Sequence, residues 1–484
     1  MIRTYPTPPF EPTSADYDVS VGGITLHASP IRVSAMPVNQ IFRGVQRGKD
    51  ETELASYVSF EGDQPASLRV TVGFDVFCVR VVPASAGITL TIHGRNITFT
   101  LPKPGSYTLE VNGVHKPLHI FFNPLEIDAP DPNDDAVLYF APGLHNAGRI
   151  EMKSGQTLYI AGGARVRGYV VVYDAQNVCI QGRGLIDVSN IPRLANQNAI
   201  HISRSSHIRV EGIILHDAPC FAVTVANSEY VEIDNAKVIG QWRYNSDGID
   251  LYNSRHAIIR NCFVRTFDDC IVLKGGYQVA GRSMEHVSMS DILVEDCVLW
   301  NDWGRALEIG AETIADEMRD ITFRHCEVLH FLFIACDVQA CGDAYVHDVL
   351  FEDINVGEPL DPQCEPRLTE IFIRPMCWLS AEKLSHVGDI TFRNIAYTGR
   401  TCVPNRYIGF GEESDVQRVS LENITINGQR LTEAGHPMSQ FIYNRFANVI
   451  AVDGKPIDMA SAFLEDEKAT CSSFLIGNGA FVSK

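Results

Sequence analysis

Residues 244–274 read YNSDGIDLYNSRHAIIRNCFVRTFDDCIVLK. Asp247 is followed 21 and 22 residues later by the pair Asp268-Asp269. Each carboxylate opens a short apolar run, Gly-Ile-Asp-Leu after Asp247 and Cys-Ile-Val-Leu after Asp269. Runs of this length and content suit strands rather than helices. The fold therefore depends on whether the two runs are successive copies of one unit.

Working outward, the unit recurs. An apolar-polar-apolar triplet followed by a polar or small pair appears at Val178-Cys-Ile-Gln-Gly182, Ile208-Arg-Val-Glu-Gly212 and Val231-Glu-Ile-Asp-Asn235. It returns at Ile258-Ile-Arg-Asn261, Ile292-Leu-Val-Glu-Asp296 and Ile321-Thr-Phe-Arg-His325. Val349-Leu-Phe-Glu-Asp353, Ile390-Thr-Phe-Arg-Asn394 and Val419-Ser-Leu-Glu-Asn423 continue it. The spacing varies from 23 to 41 residues. An irregular period with strand content predicts a solenoid of β-coils with loops of unequal length. Leucine-rich repeats do not fit, because no Leu-x-x-Leu-x-Leu frame is present. Asn at coil corners tolerates a left-handed turn and can stack in ladders. The coils are expected from about Val137. The sequence after about 430 is less regular and reads as a cap.

Residues 1 to about 130 differ. Runs such as Ala66-Ser-Leu-Arg-Val-Thr-Val and Val76-Phe-Cys-Val-Arg-Val-Val alternate between turn signals such as Asn112-Gly113. They predict a small antiparallel β-sandwich. The segment from Asp128 to Asp135 is rich in Pro and Asp and reads as a linker. The expected chain is all-β, with a sandwich over 1–130 and a parallel β-helix catalytic domain over 131–484.

In a β-helix, residues one coil apart lie ~4.8 Å apart along the axis. Aligning Ile249-Asp-Leu251 with Ile271-Val-Leu273 sets Asp247 beside Asp269 and Ser246 beside Asp268. Three carboxylates then crowd one outer face. Like charges at that spacing raise at least one pKa. A protonated carboxyl can supply a leaving glycosidic oxygen, and an ionised neighbour can activate water. The alternative is that each Asp merely caps a turn, which three in register make less economical.

Asn245-Ser-Asp-Gly-Ile-Asp followed by Asp268-Asp-Cys-Ile resembles the paired motifs of the polygalacturonases, glycoside hydrolase family 28. The resemblance covers roughly residues 140 to 430 and implies a right-handed parallel β-helix and inversion at the anomeric carbon. It implies Asp268 as general acid, with Asp247 and Asp269 holding and deprotonating water. A front sandwich is similar to the family 49 dextranases. Two family features are altered. Gly304-Arg305-Ala306-Leu307-Glu308-Ile309-Gly310 stands where the family has Gly-His-Gly-Leu-x-Ile-Gly. Phe333-Ile334-Ala335 aligns with the Arg-Ile-Lys that reads galacturonate. A sugar other than galacturonate is expected. Arg305, Glu308, Lys274, Asn245 and Arg374 are candidate substrate contacts, with Trp242, Trp303 and Trp378 as platforms for the apolar faces of sugars. Long segments at 275–286 and 357–369 are expected to close one end of the groove, favouring exo-action on an oligosaccharide.

Composition narrows the partners. A formal charge of −19 over 484 residues, with no basic block, argues against nucleic acid and anionic membranes. No run approaches the ~18 apolar residues of a membrane span, and MIRTYPTPPFEP at the start lacks a signal-peptide core. The 13 cysteines show no CxxC pair and sit in strand patterns, which reads as reduced core residues of a cytoplasmic protein. No cofactor or metal is expected, and homo-oligomerisation stays open. Three other readings compete: a polygalacturonase-type hydrolase, a polysaccharide lyase with the Asp cluster on calcium, and a non-enzymatic carbohydrate-binding β-helix.

Overall fold

The computed structural model describes residues 1–9, 11–39, 46–195, 197–276, 286–376, 379, 383–458 and 462–464. Two sheets form the first domain. One has six strands, built around Thr52–Gly62, Leu118–Asn123 and Gly105–Val111. The other has five, ordered Ile24–Leu26, Tyr17–Val21, Ala66–Val72, Asn96–Leu101 and Thr91–His93. Their inner faces share a core that includes Val19, Val70, Phe60, Ile120 and Phe122.

One pairing departs from the antiparallel expectation. Leu118–Asn123 runs antiparallel to Gly105–Val111 but parallel to Thr52–Gly62. Its six residues are all buried, so alternation carries no polar-out signal. Leu118, Ile120 and Phe122 fill the sandwich, while Phe121 packs outward against the second domain.

The second domain is a parallel β-helix. Its sheet, 33 strands among the described residues, starts at Val137–Phe140, which pairs with Thr157–Ile160 one coil on. Each central coil has three strands. The first face carries the repeated triplets in the expected stacking: Val178 on Ile208, Ile208 on Val231, Ile292 on Ile321, Ile321 on Val349, Val349 on Ile390, and Ile390 on Val419. Asn235, Asn261, Asp353, Asn394 and Asn423 end that face with positive φ of 52–56°. Asn394 Nδ2 donates to Asp353 Oδ1 at 2.8 Å, and Asn423 Nδ2 donates to Asn394 Oδ1 at 2.7 Å. The coils outlast the visible pattern: Ile450 still stacks on Val419, beyond the 430 region read as irregular.

The second face is where the sandwich docks. Leu185, Ile214, Ile239, Phe263, Trp300 and Leu329 pack against Ile31, Val33, Ala55, Val82 and Phe121. Polar pins cross the same seam. His330 Nε2 meets Glu110 Oε1 at 2.7 Å, and Arg265 Nη1 meets His119 Nε2 at 3.2 Å. The third face holds the strands that carry the aspartate motifs, and Met36 and Val38 of the first domain pack with Tyr244, Phe267 and Trp303 beside it.

Candidate active site

The corner between the second and third faces repeats coil by coil, and backbone hydrogen bonds fix its register. Ala222 N donates to Asp247 O at 2.9 Å, Gly248 N to Asp269 O at 2.8 Å, and Cys270 N to Arg305 O at 2.8 Å. Strand Ile249–Tyr252 then pairs with Ile271–Lys274, Ile249 on Ile271 and Tyr252 on Lys274. Asp247, Asp269 and Arg305 therefore form one column on three successive coils. Gly304 makes the close stacking possible. A Cβ there meets Asp269 Oδ1 at 2.4 Å and Asp269 N at 2.6 Å. Thr266 Oγ1 and Asn301 Nδ2 both donate to the Asp268 carbonyl, at 2.5 and 2.7 Å, and hold the turn that presents the pair.

Asp247, Asp268 and Asp269 are all buried. Burial pushes Asp247 up to about 7, opposed by Lys274 and helped by Asp269. Asp268 is also raised well above the carboxylate range, by burial and then by Asp247 and Asp269. Lys274 Nζ donates to Asp247 Oδ2 at 2.9 Å and lies 3.7 Å from Asp250 Oδ2. It also sits 4.7 Å above the Phe221 ring. Lys274 thus balances charge within the cluster. Burial by itself lowers its pKa, but Asp247 and Asp250 hold it well above the usual value.

A second outer column runs parallel to the first. Asp250, Val272, Glu308, Asp337, Glu370 and Arg406 stack in register. This register extends the alignment made from sequence. Ile334 stacks on Arg305, so Phe333-Ile334-Ala335 does stand at the corner of the coil after Gly304-Arg305, and farther along that strand Glu308 pairs with Asp337 and Gly310 with Gln339, which point outward. Ala335 and Cys336 belong instead to the apolar interior. Neither outward residue is basic. Arg305 Nε lies 3.3 Å from Asp337 Oδ2. Gln339 Nε2 donates to Glu308 Oε1 at 3.4 Å, and Arg374 Nη2 donates to Gln339 Oε1. Burial pushes Asp337 up to about 8 and raises Glu308 well above its usual range.

The other sequence candidates divide. Asn245 adopts a φ of 52°, and its Oδ1 accepts from Arg193 Nη2 at 2.8 Å. Trp303 is half-buried, stacked on Phe267 at 5.4 Å between centroids and edge-on to Phe333. Trp242 is a correction: it is 5 % exposed, and the guanidiniums of Arg32 and Arg243 lie over its ring at 5.9 and 5.6 Å. It packs between the domains and offers no open platform. Trp300 likewise belongs to the docking seam. Trp378 and residues 277–285 lie outside the described residues.

Sequence reading missed Asp250, Asp337 and Arg193. Strand parity exposes the first two, since each is an acid at an outward position between apolar inward neighbours. Arg193 gave no signal, because it reaches the site from a loop 52 residues before Asn245.

Comparison with known proteins bears on the fold and the class of protein. Residues 149–355 match the model of glycosyl hydrolases family 28. That stretch of the chain is similar to the hydrolases of that family. The chain is also similar to dextranases. It is 21 % identical over 390 residues to a dextranase of Arthrobacter sp. (strain CB-8), covering 70 % of this chain and 57 % of that one. The alignment thus spans little more than half of the relative. It is 26 % identical over 345 residues to a putative galacturan 1,4-alpha-galacturonidase A of Aspergillus flavus, covering 63 % and 74 %. The structure of Dex49A from Penicillium minioluteum superposes over 95 % of this chain and 92 % of that one, with a TM-score of 0.57 and 12 % identity. That likeness concerns the fold, sandwich included.

Proposed function

We propose that the protein is an inverting glycoside hydrolase that cleaves an oligosaccharide of a sugar other than galacturonate. The observation that carries this reading is the column that sets Asp247 beside Asp269, with Asp268 next to it, all buried and with Asp247 and Asp268 raised in proton affinity. Asp268, held protonated, donates its proton to the leaving glycosidic oxygen. Asp247 and Asp269 accept a proton from water, whose oxygen attacks the anomeric carbon from the opposite side as the carbon–oxygen bond breaks. Lys274 keeps Asp247 available as a carboxylate near neutral pH.

Against a galacturonan substrate stand Asp337 and Gln339 on the outer positions of the coil after Arg305. The named activities of relatives, dextranase on one side and galacturonidase on the other, leave both sugar classes to be tested. We include exo-action in the proposal. The segment from Pro359 to Arg367, with its short turn at Pro362–Cys364, leads from the second face to the third three coils beyond the Asp268 pair. A cytosolic setting is also part of it, supported by the buried unpaired thiols of Cys262, Cys297 and Cys326.

The test is NMR of the first-formed anomer during cleavage of a panel of neutral and acidic oligosaccharides. Inversion with release of single terminal residues is expected. Retention, or turnover by the Asp268→Asn variant at the wild-type rate, contradicts the mechanism.

A further inference from the structure

Asp337 and Glu308 stand on adjoining coils of the outer column, next to the aspartate trio. Both side chains are fully buried. Neither Asp337 oxygen has a hydrogen-bond donor among the described residues, and Glu308, beyond Gln339 at its Oε1, has only the carboxyl of Asp269 within reach. Buried acceptors are nearly always satisfied in folded proteins. The next residue of the same column shows what satisfaction looks like here. Glu370 Oε2 is met by Arg367 Nε at 2.9 Å and Arg406 Nε at 2.6 Å. The open acceptors are therefore confined to the part of the column beside the trio.

A single metal ion does not account for them. Among the described residues, the only group of three whose ligating atoms converge within 4.8 Å is Glu295, Asp296 and His325, at a different corner. A cationic ligand is also disfavoured. Burial pushes Asp337 up to about 8, so near pH 7 it is held mainly as the neutral acid. Arg305, 3.3 Å away, adds positive charge to the same spot. What remains is a ligand rich in uncharged donors and acceptors, which a sugar ring supplies through adjacent hydroxyls.

We propose that Asp337, with Glu308 beneath it, is the specificity-determining pair of the groove: it binds hydroxyls of an uncharged sugar ring and rejects a ring that carries a carboxylate. This rests on the hydrolase reading for the location of the groove but not for its chemistry. A uronate here meets Asp337 and Glu308, and the cation within reach, Arg305, is already compensated by Glu308, Asp269, Asp337 and Glu370, so it gives a carboxylate no advantage. A hydroxyl-bearing ring satisfies acceptors that are otherwise left bare, the kind of contact whose loss is felt strongly.

The experiment is calorimetric binding to the Asp268→Asn protein, with isomaltotriose, cellotriose, trigalacturonate and the trimer of glucosamine as probes. At least one neutral trisaccharide is expected to bind, and trigalacturonate to bind at least about tenfold more weakly. Adding Asp337→Asn is expected to shrink that preference by about tenfold or more, with the thermal midpoint recorded to establish folding. The proposal is overturned if no neutral trisaccharide binds, if trigalacturonate or the cationic trimer binds best, or if Asp337→Asn leaves the preference unchanged. If discrimination holds but the wild-type protein turns over no glycoside, the hydrolase reading fails and the specificity pair stands.

Discussion

Asp247 is pulled in opposite directions by two neighbours. Burial and Asp269 favour its proton, while Lys274 at 2.9 Å favours its charge. Removing the cation therefore raises its pKa further, by an expected ~1–3 units. In Lys274→Met, the acidic limb of the pH–rate profile shifts upward from about 7. Turnover at pH 6 falls more than turnover at pH 8. A parallel drop at all pH values contradicts the role of Lys274 as a charge partner. Asp268→Asn removes the proton donor and is expected to lower kcat by ~10²–10⁴-fold, with binding retained. Kinetics on the best substrate of the panel check this. At this scale the sequence told much about the trio and little about its surroundings. The motif spacing placed Asp247 next to Asp269, since only one coil separates them. Asp250 and Asp337 were hidden because an acid inside an apolar strand looks like a break in the pattern until the inward and outward sides are known.

Within one coil, corners and strands obey different constraints. The strands were legible because triplets such as Ile321-Thr-Phe and Val349-Leu-Phe share one inward phase, and their register follows from it. The Asn corners were legible because Asn tolerates a left-handed φ, although Asp296, His325 and Asp353 hold the same conformation. Asn394 both adopts that conformation and links Asp353 to Asn423. Asn394→Ala loses both and is expected to cost ~1–3 kcal/mol in chemical unfolding. Asn394→Gly, which keeps the conformation, costs less. Equal losses mean that the side-chain ladder alone matters. Gly304 is a corner of another kind, where space rather than φ is limiting. A Cβ there meets Asp269 directly. Gly304→Ala is expected to lower kcat at least tenfold while the far-ultraviolet circular dichroism stays that of the parent. The Phe333-Ile-Ala alignment reached the corner of the next coil but stopped short of its outward strand residues, Asp337 and Gln339. Counting along the chain from the Gly304 corner agrees with the pairing of Ile334 on Arg305.

Across the whole molecule, the seam between the domains was out of reach of the sequence. Trp300 and Phe121 lie in strands that read as ordinary core, and only the assembled fold shows them facing each other's domain. The same assembly buries an acidic face with a predictable consequence for stability. Burial raises Asp247, Asp250, Asp268, Glu308 and Asp337, two of them to about 7 and 8. A carboxyl whose folded-state pKa is raised stabilises the fold below its unfolded value, near 4, and loses that contribution as pH climbs through the folded value. The window is therefore about pH 4 to 8, and stability falls across it. The thermal midpoint is expected to be higher at pH 5 than at pH 8.5. Self-repulsion from a net charge of −19 acts in the same direction, so the wild-type trend alone does not isolate the buried face. Asp337→Asn does isolate it, because it removes one buried titration and only one unit of charge. Relative to wild type, the variant is expected to gain ~1–4 kcal/mol at pH 8.5 and little at pH 5. A uniform gain at both values points to general charge relief, and a loss at pH 8.5 means that the Arg305 pairing outweighs the burial of Asp337.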